Sequence, residues 1–151
     1  MSHLLTRLPL ILGFGLLLLA LPNNSQAQCG NFTGKCETHL GEFNTDGGYY
    51  RSMLFEGEQA KLQMTFYKGM TYRIIPCGES DKGDDLNFLV LDSRGVGVFN
   101  SAEMEPRPYY DFSFNATGDY EIEARFLSGD GCAAIIVGYL ENSKAESMAG
   151  Q

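Results

Sequence analysis

Tyr120, Ile122, Ala124 and Phe126 occupy every second position of one short run, and Glu121, Glu123 and Arg125 fill the gaps. An extended chain points successive side chains to opposite faces, so this run predicts a strand with one face in a core and the other in water. Short runs of strand-like composition recur over 49–55, 60–66, 70–76, 86–91, 96–99, 110–114 and 132–139, separated by clusters of Gly, Asp, Asn and Pro. In 60–66 the apolar phase is Ala60, Leu62, Met64 and Phe66, and the run closes on Thr65, Phe66 and Tyr67, residue types suited to a pleated surface. Pro76 cannot donate to a ladder and predicts a strand end or a sheet edge. The runs 86–91 and 132–139 are apolar on both phases and predict strands covered on both faces. Asp92-Ser93-Arg94-Gly95 has the chemistry of a tight turn into an antiparallel return.

About eight such strands must bury two apolar faces against each other. The expected fold is all-β, an antiparallel two-sheet β-sandwich, jelly-roll-like or related, with a closed barrel as the alternative. Trp is absent, so the bulky core volume falls to 10 Phe and 8 Tyr. The chain of 151 residues then divides into a leader over 1–27, an irregular arm over 28–48, the sandwich over 49–140 and a disordered tail over 141–151.

The leader has the form of a secretory signal. Arg7 precedes an apolar stretch ending at Leu21, and Asn23-Asn24-Ser25-Gln26-Ala27 follows, with cleavage expected after Ala27. The stretch is shorter than the roughly 20 residues needed to cross a bilayer core, and no membrane insertion is expected once it is removed. Cys29, Cys36, Cys77 and Cys132 all follow that point, and an even count in an oxidising compartment predicts two disulfides. Cys29 and Cys36 flank a short Gly-containing loop, while Cys77 ends one apolar run and Cys132 begins another; the expected pairs are 29–36 and 77–132. No CxxC pair supports a zinc site. The expected location is secreted or periplasmic, and soluble.

Without the leader the chain carries ten basic and nineteen acidic side chains, a net charge of −9. Such a surface repels phosphate backbones and anionic headgroups, which excludes nucleic acid as an expected partner.

Three segments carry a resemblance: Gly69-Met70-Thr71-Tyr72-Arg73-Ile74, the stretch from Asp85 to Gly95, and Phe112-Ser113-Phe114 followed by Gly118-Asp119-Tyr120-Glu121-Ile122. In order and spacing, residues 56–139 resemble the pre-peptidase C-terminal domain, a small exported β-sandwich module. The whole chain is also similar to small exported bacterial proteins of the same design. The resemblance implies a non-catalytic accessory domain, in some members associated with calcium or polymer binding. It does not imply the cysteine pairs, and unlike the family's usual members this chain is expected to carry no catalytic domain beside it.

Two groups of residues are candidates for binding. Glu79-Ser80-Asp81-Lys82-Gly83-Asp84-Asp85 places four carboxylates around a glycine, and Asp81, Asp84 and Asp85 are the expected ligands of a weak calcium site, the sole cofactor expected. The spacing does not match an EF-hand loop. Each of the doublets Tyr49-Tyr50, Phe66-Tyr67 and Tyr109-Tyr110 projects one ring to either side of a strand. Tyr50, Arg51, Tyr67 and Tyr109 are the expected elements of an amphipathic platform for a sugar ring or a peptide. His39 is the only histidine outside the leader and has no nucleophile motif beside it, so no catalytic residue is assigned. The expected function is binding without catalysis, toward a protein, a cell-envelope polymer or a cation; the alternatives are an assembly component of an envelope complex and a small secreted hydrolase.

Overall fold

The computed structural model describes residues 29–47, 49–83 and 85–142. The expected leader over 1–27 and the expected tail from 143 onward lie outside the described residues.

Eight strands form in chain order: β1 (Tyr50–Leu54), β2 (Ala60–Phe66), β3 (Met70–Ser80), β4 (Leu86–Asp92), β5 (Gly97–Asn100), β6 (Tyr110–Ser113), β7 (Gly118–Phe126) and β8 (Gly131–Glu141). They make two antiparallel sheets, with orders β1-β8-β3-β6 and β2-β7-β4-β5, called here the first and second sheet. The ladders β1·β8, β2·β7, β3·β6 and β4·β5 are those of one long hairpin, with its bend at 93–96, rolled over on itself. This is the connectivity of a jelly roll. The β4–β5 return is set by Asp92, whose Oδ1 accepts from the amides of Arg94 and Val96 at 2.9 Å each.

The main core fills the space between the sheets. Phe66, Ile74, Phe88, Val90 and Ile122 are fully buried there. A chain of rings runs through it, with Phe66 stacked on Phe114 at 4.4 Å and Phe99 edge-on to Phe112 at 4.9 Å. The phenols reach partners at the rim: Tyr110 Oη donates to the Glu105 carbonyl at 3.1 Å, and Tyr72 Oη accepts from the Tyr67 amide at 2.9 Å. The inward phase of β7 is the one its alternation predicts.

Three expectations are corrected. β3 does not stop at Pro76; it continues to Ser80, paired throughout with β8. β6 ends opposite Ile74, so from there β3 has a free edge, where a missing N–H is tolerated. The arm is not wholly irregular, since α1 (Gly34–Glu37) and a 3₁₀ turn at Thr38–Leu40 lie within it. One turn is too short to show a helical period. At the other end β8 runs to Glu141, and Asn142 still bonds to Gly69 and Thr71, so the ordered chain passes the expected tail boundary.

The largest correction concerns the cysteines. The pairs are Cys29–Cys132 and Cys36–Cys77, and neither expected pair forms. Cys77 and Cys132 both lie on the outer face of the first sheet, where the arm packs, so each half-cystine of the arm finds its partner beneath it. A second, smaller core results: Cys36 and Leu40 of the arm bury Ile75, Cys77, Ala134 and Ile136, flanked by Phe32, Phe43, Tyr49 and Tyr109. The first sheet is thus covered on both faces, which explains the doubly apolar sequence of β8.

Candidate functional site

The second sheet keeps an open outer face, and its side chains are set by the β2·β7 register. Lys61 stands opposite Glu123, Gln63 opposite Glu121 and Thr65 opposite Asp119. The pairs are joined: Lys61 Nζ bonds Glu121 Oε1 at 2.9 Å and also Glu123, Gln63 Nε2 donates to Glu121 Oε2 at 3.4 Å, and Thr65 Oγ1 donates to Asp119 Oδ1 at 2.6 Å. Leu91 of β4 lies beside Glu121, and the Asp92 turn rises at the end of β4. Gln63, Thr65, Leu91, Asp92, Asp119 and Glu121 line a groove of about 440 Å³.

The two shifted carboxylates of this groove are each held by a neighbouring cation. The hydrogen bond from Lys61 holds the Glu121 carboxyl below its ordinary value of 4.5, helped by Gln63. Arg94, with the Val96 amide, holds Asp92 below its ordinary 3.8. Both groups stay ionised at neutral pH. A general acid needs its pKa raised toward the working pH, so these carboxylates are placed as fixed acceptors rather than proton donors. Together with the Gln63 amide and the Thr65 hydroxyl, they can accept hydrogen bonds from hydroxyl, amide or ammonium groups of a ligand. The alternation of β7 sets Glu121 and Glu123 toward water, but the sequence does not reveal the groove. β2 and β7 lie far apart in the chain, and no local signal pairs them.

The expected binding residues are not brought together. Tyr50 is half exposed on β1, at one edge of the first sheet. Arg51 lies over the Tyr49 ring at 5.4 Å, and its Nη2 donates to Thr33 Oγ1 at 3.2 Å. Tyr67 is exposed in the β2–β3 turn. Tyr109 borders β6 at the opposite edge of the first sheet, and the Arg73 guanidinium covers its ring at 3.8 Å. His39 is half-buried, with its ring 6.2 Å from that of Tyr109.

In the acidic loop, Asp81 Oδ1 accepts from the Asp130 amide at 2.9 Å, and Lys82 Nζ pairs with Glu56 at 3.0 Å. Asp130 Oδ1 in turn accepts from the Glu56 amide at 2.7 Å. These bonds lace the β1–β2, β3–β4 and β7–β8 connections at one end of the sandwich. Gly129, at φ +83°, has no room for a Cβ beside the Asp81 carboxylate. Asp85 is exposed, and Asp84 lies outside the described residues. Among the described residues no three His, Cys, Asp or Glu side chains are grouped closely enough to hold a metal ion.

No protein-family model matches the chain, and no curated protein gives a significant match. Among solved structures it is similar to the periplasmic lysozyme inhibitor PliG of Aeromonas hydrophila, an inhibitor of g-type lysozyme. That match has 12% identity and a TM-score of 0.49, and covers 62% of this chain and 85% of that one. It is also similar to the pre-peptidase C-terminal domain of a collagenase from Bacillus anthracis, at 12% identity and a TM-score of 0.41, covering 60% of this chain and 87% of that one. The second belongs to the family that the sequence motifs resemble.

Proposed function

We propose that this protein is an extracytoplasmic binding module without catalytic activity, and that its working surface is the open face of the second sheet. The observation that supports this most is the inequality of the two outer faces. One has an apolar centre over which the arm packs; the other carries no described segment and presents a row of charged and amide side chains beside Leu89 and Leu91, with a groove. The ligand that suits the groove is a neutral or cationic segment of a protein or cell-envelope polymer, because Glu121 and Asp92 stay ionised there and the chain's net charge is −8. The lowered carboxylates favour binding over hydrolysis. Two disulfides favour an oxidising compartment. Among the described residues no helix is long and apolar enough to cross a membrane.

The test is a pull-down from the exported fraction, together with cosedimentation on purified cell-wall sacculi, comparing the wild type with a Gln63→Arg/Asp119→Arg double variant. Retention of one partner by the wild type, lowered at least tenfold in the variant, is the expected result. Equal retention by both, or no retained partner or polymer, contradicts the proposal.

A further inference from the structure

Both disulfides do the same mechanical job. Each has one cysteine in the arm and the other on the first sheet, and neither joins the two sheets or two strands of the sandwich. The main core between the sheets contains no residue of the arm, and the arm's own core contains no residue of the second sheet. The molecule therefore has two packing units of unequal self-sufficiency.

The arm has little to hold it beyond its contacts with the sheet. Its helix is a single turn, and its internal bonds are local, among them Cys36 and Glu37 to the Thr33 carbonyl, Phe32 to Gly30, Phe43 to Leu40 and the Gly47 amide to Thr45 Oγ1. A helix of that length does not persist without packing. Among the described residues, its noncovalent moorings to the sheet include the following. Arg73 is held between the rings of Phe43 at 4.2 Å and Tyr109 at 3.8 Å and donates Nη1 to the His39 carbonyl at 3.0 Å. Arg51 reaches Thr33, and Asn44 exchanges backbone bonds with Tyr139 at 3.0 and 2.8 Å. Leu40 and Phe43 also settle over Gly138, where a Cβ would come within 2.7 Å and 2.8 Å of them.

We infer that the arm is a redox-latched strap: oxidised, it seals the apolar outer face of the first sheet; reduced, it lifts away while the sandwich stays folded. The co-reactant is a dithiol. For each bond a thiolate attacks one sulfur to give a mixed disulfide, and its second thiol resolves it; two electrons and two protons convert the protein disulfide to two thiols as the dithiol becomes a cyclic disulfide. Cys29 is the one half-cystine that is not buried, so Cys29–Cys132 opens first, and the loosened end then admits the reductant to Cys36–Cys77. Opening uncovers Ile75, Ala134 and Ile136, an apolar strip that is masked wherever the disulfides persist.

Amide hydrogen exchange on the oxidised protein and on the same protein in dithiothreitol, with thiol trapping to count free cysteines, tests this. With four thiols titrated, exchange at Cys36, Glu37, Phe43 and Asn44 rises at least tenfold, and the β2, β4 and β7 amides change by less than threefold. A variant with all four cysteines replaced by Ala gives the same contrast without reductant. A Gly138→Leu variant, oxidised throughout, raises arm exchange alone. The inference is overturned if thiols appear only as the second sheet loses protection, or if arm exchange is the same in the oxidised and reduced proteins.

Discussion

Arg73 shows how much one side chain does here. Its Nε and Nη2 form a fork on Asp111 at 2.8 and 2.7 Å, Nη1 holds the His39 carbonyl, and both faces of the guanidinium meet aromatic rings. The hydrogen bonds to Asp111 raise the Arg73 pKa further, so the guanidinium keeps its charge. Only a planar fork serves bonds in its plane and rings on both sides. Arg73→Ala is expected to cost about 2 kcal/mol in urea unfolding, the scale of a half-buried, charge-assisted pair with stacking. Arg73→Lys is expected to recover less than half of that, and full recovery by lysine would refute the role of the fork. None of this was legible from the sequence, in which Arg73 is one polar residue in an alternating run. Its partners come from three separated segments. By contrast, Phe66, Ile122 and Ala124 were assigned inward by parity alone, because a strand has just two faces.

Elements were the most legible scale. Short period-two runs gave eight strands within a few residues of their ends, since turn residues bound strands sharply. The misreadings arose where tertiary context decides. Pro76 reads as a stop, and β3 passes it because β6 has already ended opposite Ile74. The run 86–91 was expected to be covered on both faces; β4 is an inner strand, yet Asn87, Leu89 and Leu91 stay half exposed because nothing described packs over the second sheet. The β4–β5 hairpin also has a pH signature. The folded Asp92 pKa lies below its ordinary 3.8, so its bonds to Arg94 and Val96 contribute fully above that value and are lost as pH falls through the lower, folded one. Acidification below about pH 4 is expected to speed amide exchange at Gly97–Asn100, and Asp92→Asn is expected to flatten that response. A wild-type hairpin insensitive to acid would contradict this origin.

At the scale of the whole molecule, the decisive feature is how the arm divides the two outer faces. The sequence shows four cysteines and an apolar β8, and local proximity suggests that Cys29 and Cys36 close on each other. Folding makes distance along the chain a poor guide. The rolled hairpin sets Cys77 and Cys132 on the same face, under an arm that carries the other two. That arrangement packs the arm over the first sheet and leaves the outer face of the second open, which is the basis of the binding surface and the redox-sensitive strap proposed above. Mass spectrometry of non-reduced proteolytic peptides from the protein, with free thiols blocked at lysis, tests it most directly. The account predicts linked peptides containing Cys29 with Cys132 and Cys36 with Cys77. Peptides linking Cys29 to Cys36 and Cys77 to Cys132 would leave the arm closed on itself and contradict it.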